Sequence, residues 1–224
     1  MPIRRNLNST TQHNREPNRN KGRRNMLKTK RGNHKLSKDI LVFNLPTGHT
    51  CPGAGECINW CYAKKPERMF RRVREARNHN YLETKKDTFT AEMNKTLKEQ
   101  GNKIKYVRIH ESGDLYNQQY LNKWITIAKH NKHLTFYIYT KSHTLNFKKA
   151  PRNLVIIHSY GSNNDSAINP QIHNTARTIH STEELQTEEY LCPYHEPTFS
   201  KCGETCKVCM TQTDNPIHIA FLKH

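Results

Sequence analysis

With 224 residues and 26.3 kDa, the chain is long enough for one domain with a full hydrophobic core, or for one domain and a small appendage. Its mean hydropathy of −0.97 and its short apolar runs exclude a transmembrane helix, and its basic N-terminus lacks the apolar stretch of a secretory signal. Lys and Arg number 37 against 19 acids, a net charge of +18, which favours a polyanionic partner such as nucleic acid. We therefore expect a cytoplasmic protein without membrane contact.

A basic arm over residues 1–36 is the first predicted segment. It carries eleven Lys or Arg and a single acid, Glu16, and it has almost no apolar content. Such a composition cannot bury enough surface to offset the entropy of ordering, so we expect the arm to be disordered until a partner binds. Nucleic acid is the expected partner, and a solvated tail without a target is the alternative.

An α/β core is predicted over residues 37–185. It begins with a fully apolar strand at 40–43, which a turn follows at 45–48. A polar helical region over 66–100 is expected to hold two helices, the second of them capped by Asp87. Their apolar faces would consist of Met69, Val73 and Ala76 in the first helix, and of Phe89, Met93 and Leu97 in the second.

Strands alternate with a further helix through the rest of the chain. Alternation at this spacing predicts βαβ units and a mostly parallel sheet. Functional groups on such a sheet belong at the carboxyl ends of the strands. The predicted strands lie at 104–110, 134–140, 154–159, 175–180 and 217–222, and the helix lies at 117–130.

Seven cysteines fall into two groups, and in a chain without an export signal they are expected as thiols or metal ligands. The first group is Cys51, Cys57 and Cys61, in the glycine-containing loop after the first strand. Three local thiolates suit a [4Fe–4S] cluster with one open iron. They also suit a zinc site for which His49 is the nearby fourth ligand.

The second group supplies four cysteines, within a segment over 186–224 that ends in a strand. Four thiolates complete a closed site by themselves, either Zn(Cys)₄ or a second iron–sulfur cluster. A closed site of this kind is expected to be structural or to relay electrons. Its ligands would be Cys192, Cys202, Cys206 and Cys209.

Polar side chains follow the predicted strands at 104–110 and 134–140. His110 and Glu111 stand beside Asp114, where they predict either a polar site or a turn with self-capping side chains. Lys141 is expected at the same mouth, where an ammonium group could bind a carboxylate or a phosphate. A plain surface lysine is the alternative.

The first cysteine group resembles the cluster loop of radical S-adenosylmethionine enzymes, because its last cysteine is followed by an aromatic residue, Tyr62. The segment Ser112-Gly113-Asp114 resembles the Gly-Gly-Glu segment that holds the methionine amino group in that family. Ser159 ends what would be the fourth strand of such a core. The resemblance implies a partial (βα) barrel that binds S-adenosylmethionine, with these five residues near the cofactor.

A closer resemblance is carried by the run FNLPTGHTCPGAGECINWCYA over 43–63, together with IHESGDLYNQQYLNKW and YTKS. These motifs resemble the phage gene product eighty-eight family, whose members occur in phages and other mobile elements. The resemblance implies a lineage but does not indicate which reaction the protein catalyses. The sequence thus predicts an iron–sulfur protein, a radical S-adenosylmethionine type of enzyme acting on or near nucleic acid. The alternative is a non-catalytic nucleic-acid-binding protein stapled by iron–sulfur or zinc.

Overall fold

The computed structural model describes residues 26–223, so the disorder predicted for residues 1–25 lies outside the described part. In this part of the chain, eight strands form one sheet in the order β1-β2-β3-β4-β5-β6-β8-β7. All neighbouring pairs are parallel except β1 and β2, which are antiparallel. The strands are β1 (Thr29–Arg31), β2 (Ile40–Phe43), β3 (Tyr106–Ile109), β4 (Thr135–Thr140), β5 (Leu154–Ser159), β6 (Asn174–Ile179), β7 (Glu189–Leu191) and β8 (His218–Leu222).

Four α-helices accompany the sheet in the described residues. Three of them connect β2 to β3, and the fourth connects β3 to β4, while later connections consist of turns and short 3-10 segments. Within residues 26–223, no helix combines the length and the apolar content that crossing a membrane requires. The helices are α1 (Lys64–Met69), α2 (Arg71–Thr84), α3 (Phe89–Gln100) and α4 (Gln118–His130).

The sheet is buried on both faces, which explains why several strands are continuous apolar runs. On one face, Phe43 packs against Trp124 of α4, with ring centroids 5.6 Å apart; we call it the helix-covered face. On the other face, Val155 and Ile157 pack with Met210 of the cysteine-rich segment; we call it the cysteine-covered face. Successive residues of each strand alternate between the two faces.

The predicted α/β class and the mostly parallel sheet are confirmed. The barrel is not: in the described residues the outermost strands, β1 and β7, each pair with one neighbour only, so the sheet is open and closure is not shown. The predicted strands agree with the observed ones to within two residues at each end, and α4 starts where predicted. Its N-cap is Asn117, whose side chain accepts a hydrogen bond from the Tyr120 amide at 2.9 Å.

The predicted boundary of the arm at residue 36 is wrong. β1 lies inside the segment expected to be disordered, and Leu27 and Leu36 are buried against the core. This short strand is ordered by its backbone ladder on β2 and by an ion pair between Lys30 and Glu111 at 2.8 Å. Its polar composition gave no indication of either interaction.

The apolar face predicted for the first helix is also wrong. Met69 belongs to the separate helix α1 and is exposed, and α2 buries polar residues instead. One of them, Asn80, exchanges hydrogen bonds of 2.8 and 2.9 Å with the backbone of Lys28 and donates a third to the Asn44 carbonyl. Side chains that satisfy backbone groups can be buried in place of apolar ones. The four buried residues of α2 are Arg77, Asn80, Glu83 and Thr84.

The second predicted helix buries Phe89, Met93 and Leu97 as expected. Its predicted cap is wrong by one position, because the N-cap is Thr88 and not Asp87. The Thr88 side chain makes no capping hydrogen bond. The helix is therefore held by its buried face and not by its cap.

Candidate functional site

The first cysteine loop, residues 51–61, lies across the carboxyl ends of the parallel strands. A methyl group added at Gly53 would stand 2.0 Å from the Lys141 carbonyl oxygen, just beyond β4. One added at Gly55 would stand 2.7 Å from the Gly161 carbonyl oxygen, beyond β5. Glycine is required for this close approach of two backbones. The loop is thus fixed at the edge where sequence analysis placed it.

The thiols of the first group are partly buried beside charges of opposite sign. Burial and the negative charge of Asp114 raise the pKa of Cys51 to about 11. Burial also raises the pKa of Cys57, while the Lys141 ammonium acts against this rise. Both thiols interact electrostatically with Cys61. At neutral pH such thiols are protonated, and a bound cation would release their protons.

Asp114 lies beneath this loop and ties β3 to β4. One carboxylate oxygen accepts hydrogen bonds from the Thr140 hydroxyl and the Leu115 amide, both at 2.7 Å. The other accepts from the Lys141 amide at 2.8 Å. Burial raises the pKa of this carboxyl to about 6, although these donors oppose the shift. The structure thus gives Asp114 a role in joining two strand ends.

Ser112 and Gly113 also face the protein and not the solvent. The Ser112 hydroxyl is buried and donates to the Leu45 carbonyl at 2.8 Å. Gly113 has φ +84°, and a methyl group there would stand 2.5 Å from the Leu45 side chain and 2.8 Å from the Thr50 hydroxyl. The segment over 112–114 therefore forms the floor of the cysteine loop. Its predicted contact with S-adenosylmethionine stays a prediction.

Lys141 extends from the cysteine loop to the end of β5. Its ammonium donates to the Tyr160 carbonyl and, at 3.3 Å, to the Ser159 carbonyl. Burial lowers the pKa of this group, while the Cys57 and Asp165 charges favour its protonated form. The Lys141 ammonium is therefore not a plain surface group, and it is not open to an anion. It binds the backbone carbonyls at the end of β5.

The polar site predicted from His110 and Glu111 is divided by the sheet. The His110 ring lies on the helix-covered face, 2.9 Å from the Tyr120 hydroxyl, and burial lowers its pKa to about 3. The Glu111 carboxylate stays on the other side, where Lys30 holds its pKa below the ordinary value despite burial. The Glu111 carbonyl accepts a 2.7 Å hydrogen bond from the Tyr62 hydroxyl. Tyr62 therefore links the cysteine loop to the end of β3.

The second cysteine group covers the face of the sheet opposite the helices. The Tyr139 hydroxyl donates to the Cys209 sulfur at 2.7 Å, and burial raises the pKa of that thiol to about 12. Burial raises the pKa of Cys202 to about 11, with further contributions from Cys192 and Cys206. The four predicted thiols are therefore electrostatic neighbours, as those of the first group are.

No group of three or more His, Cys, Asp or Glu side chains within residues 26–223 is arranged to hold a metal ion as it stands. All seven cysteines are outside disulfides. The structure thus brings the thiols of each group near one another without converging them on one point. The His49 ring packs against Tyr81, with centroids 4.9 Å apart, and would leave this contact to become a fourth ligand.

Arg108 is a central residue that sequence analysis missed. It projects from β3 onto the cysteine-covered face, with its guanidinium carbon 4.5 Å from the Tyr139 ring centroid and 5.3 Å from that of Tyr137. Burial raises the pKa values of both Tyr62 and Cys202, and the Arg108 charge opposes both rises, so Arg108 lies near Tyr62 and near the second cysteine group. The sequence feature that could have indicated its importance is a charged residue at an inward-facing position of a buried strand.

Comparison with known proteins identifies the lineage. The family described as Gene product 88 matches residues 15–216, so the chain belongs to this family. This confirms the resemblance carried by the motifs between residues 43 and 142. No curated protein and no solved structure matches the chain. The resemblance to radical S-adenosylmethionine enzymes therefore rests on the motifs alone.

Proposed function

We propose that this member of the Gene product 88 family is an iron–sulfur enzyme of a phage or related mobile element that binds S-adenosylmethionine at its first cysteine group. One observation carries the proposal: the loop over 51–61 lies across the carboxyl ends of parallel strands. Ligands of open α/β sheets bind at this edge. Three thiolates would leave one iron of a [4Fe–4S] cluster open to a ligand.

The donor chemistry around the loop suits such a group, and the three thiols would have to move together to bind it, because they do not converge on one point. Cys51, Cys57 and Cys61 would be its ligands, and the Lys141 ammonium favours the thiolate form of Cys57. The reduced cluster would supply the electron that cleaves S-adenosylmethionine. The buried carboxylate of Asp114 holds the β3 and β4 ends that support the loop.

We assign the second group a different role. Its four thiolates would close a zinc or iron–sulfur site by themselves and leave no position for a substrate. Tyr139 donates a hydrogen bond to one of these sulfurs, as partners outside the ligand set do in metal sites. This site would fix residues 192–210 on the sheet.

Anaerobic reconstitution tests the proposal. The protein should take up iron and sulfide, and S-adenosylmethionine should alter the electron paramagnetic resonance spectrum of the reduced cluster. Dithionite should then release 5′-deoxyadenosine, and a Cys57→Ala variant should lose both responses. Colourless protein that holds stoichiometric zinc and no sulfide would contradict the iron–sulfur assignment.

The second candidate function is a non-catalytic nucleic-acid-binding protein stapled by metal. The exposed aromatic and basic side chains of α1 and the start of α2 favour it. An unchanged spectrum on adding S-adenosylmethionine, in protein shown to carry a full cluster, would select this candidate.

A further inference from the structure

The segment from Trp60 to Arg74 exposes large apolar side chains where helices α1 and α2 begin. Trp60 is 57% exposed, Phe70 is 56% exposed and Met69 is 59% exposed. Large apolar side chains grouped on a surface indicate a binding site. We call this segment the Trp60–Arg74 surface. Its exposed cations are Lys64, Lys65, Arg68, Arg71, Arg72 and Arg74.

The positive charge of this surface is largely uncompensated. Its one carboxylate, Glu67, turns inward to Arg77 at 2.9 Å and to the Thr47 amide at 3.0 Å. The adjoining Glu75 pairs with Arg71 at 2.6 Å. Within residues 26–223, no ion pair involves the remaining cations. An anionic partner that approaches this surface would therefore experience a positive electrostatic potential across it.

A depression of about 460 Å³ joins this surface to the first cysteine group. It is lined by Trp60, Lys65 and Arg68 as well as by Cys61 and Tyr62. Its volume falls within the roughly 300–1,000 Å³ of small-molecule sites. A ligand held by the aromatic and cationic side chains would thus contact the cysteine loop itself.

We infer that the Trp60–Arg74 surface binds single-stranded nucleic acid, with bases stacked on Trp60 and Phe70 and phosphates paired with the cations of α1 and α2. Aromatic side chains beside a basic track are the common means of binding single strands, since every base has a face that can stack. Duplex bases are already stacked on one another and offer no such face. The inference rests on the proposed function in one respect: it names single-stranded nucleic acid as the substrate class.

Trp60 provides its own reporter. The chain has two tryptophans, and Trp124 is fully buried in the core, so ligand-dependent quenching of tryptophan fluorescence reports on Trp60. The full chain is titrated with one oligonucleotide as single-stranded DNA, as single-stranded RNA and as duplex DNA, at several salt concentrations. We expect saturable quenching by the single strands, with an affinity that falls as salt rises.

Two variants test the two parts of the surface. Trp60→Ala, followed by anisotropy of a labelled oligonucleotide, should weaken single-strand binding about tenfold or more. Arg72→Ala with Arg74→Ala should flatten the salt dependence by about 0.7 for each phosphate that the variant no longer neutralises. The matched control, Lys98→Ala with Lys129→Ala, removes two exposed cations from α3 and α4 and should leave binding unchanged.

Four outcomes would overturn the inference: absence of quenching, equal quenching by the duplex, equal quenching by an acidic peptide, or an equal loss of binding in the control variant. Thermal unfolding of each variant confirms that the comparison is made on folded protein. The titrations contain neither S-adenosylmethionine nor reductant. Failure here with intact 5′-deoxyadenosine release would therefore refute the surface and leave the proposed function standing.

Discussion

The two cysteine groups share one chemistry and differ in where the fold places them. The first lies at an edge of the sheet, fixed by backbone contacts through Gly53 and Gly55, with the charges of Asp114 and Lys141 beside it. The second lies on a face of the sheet, next to buried Met210. Cysteines at the strand ends can bind a ligand that arrives from solvent. Cysteines on a buried face of the sheet take the place of apolar core residues.

This difference predicts which group the fold depends on. The segment carrying the second group supplies Met210 and half-buried cysteines to the core of the cysteine-covered face. The 3-10 turn of the first loop, Glu56–Ile58, contributes no buried residue. Losing the first site should therefore cost function, and losing the second should cost stability.

The largest expected effect follows from removing ligands. Cys206→Ala with Cys209→Ala should unfold the segment over 186–224 and lower the melting temperature steeply, because a structural metal contributes on the order of 10 kcal/mol to folding. Cys57→Ala should melt close to the unaltered protein and lack one metal site. Metal analysis and calorimetry on both proteins check this, and the reverse order of stabilities would exchange the two roles.

The next effect concerns the floor of the first loop. Gly113→Ala should destabilise the protein by about 2–5 kcal/mol, since it combines a left-handed φ, costing roughly 1–2 kcal/mol, with overpacking against Leu45, costing roughly 1–3 kcal/mol. Gly48→Ala is the matched control, because Gly48 has φ +82° and the added methyl would meet only an Ile58 methyl at 4.0 Å, and it should lose only the first contribution. Urea unfolding measures both. Equal losses would show that packing beneath the loop is loose.

The contrast between edge and face also explains what the sequence could predict. The strands at 40–43 and 154–159 were predicted because burial on both faces makes them apolar runs. Helix α4 was predicted from the helical period of its apolar residues, which the structure buries. Helix α2 was mispredicted because its buried face is polar, and Asn80 is satisfied by Lys28, 52 positions away. No local pattern encodes such a partner.

The candidate site shows the same limit. The two cysteine groups and the edge that holds the first could be predicted, because spacing along the chain and strand order determine them. The inward use of Asp114 could not, because two of its three donors come from β4 and from the residue after it. The position of Arg108 over the Tyr137 and Tyr139 rings depends on the register of β3 against β4. The inward position of Asp114 and the position of Arg108 both depend on tertiary contacts, which a local sequence pattern does not encode.

A histidine cluster beside the first loop gives an intermediate, pH-dependent effect. The Nδ1 atoms of His143 and His158 are 3.1 Å apart, and the His158 ring stacks on His173 with centroids 4.3 Å apart. Burial and the neighbouring histidines lower the pKa of His158 to about 3. The cluster reaches the first loop through the Ser159 carbonyl, which lies 3.2 Å from His143 Nε2 and is also bound by Lys141.

The folded pKa of His158 lies below the ordinary histidine value, so below about pH 6.5 the unfolded chain binds the proton more tightly. The contribution of His158 to stability should be complete above about pH 6.5 and fall as the pH is lowered toward 3, by about 2–3 kcal/mol at about pH 4.5. His158→Phe, which keeps an aromatic ring against Phe147, should remove this contribution and leave that of His110. Denaturant titrations between about pH 4.5 and 7.5 measure it, and parallel profiles for the two proteins would contradict the prediction.

The smallest effect should come from the surface ion pair that joins the C-terminal segment to the turn before β5. Arg152 and Asp214 lie 2.9 Å apart but are 72% and 90% exposed, so solvent screens the pair. Arg152→Ala should change the free energy of unfolding by less than about 0.5 kcal/mol. Met210→Ala, a buried substitution in the same segment, should cost about 2–5 kcal/mol. Urea unfolding measures both losses of stability. If Arg152→Ala cost more than Met210→Ala, the segment would be stabilised by its exposed ion pair and not by its packing on the sheet.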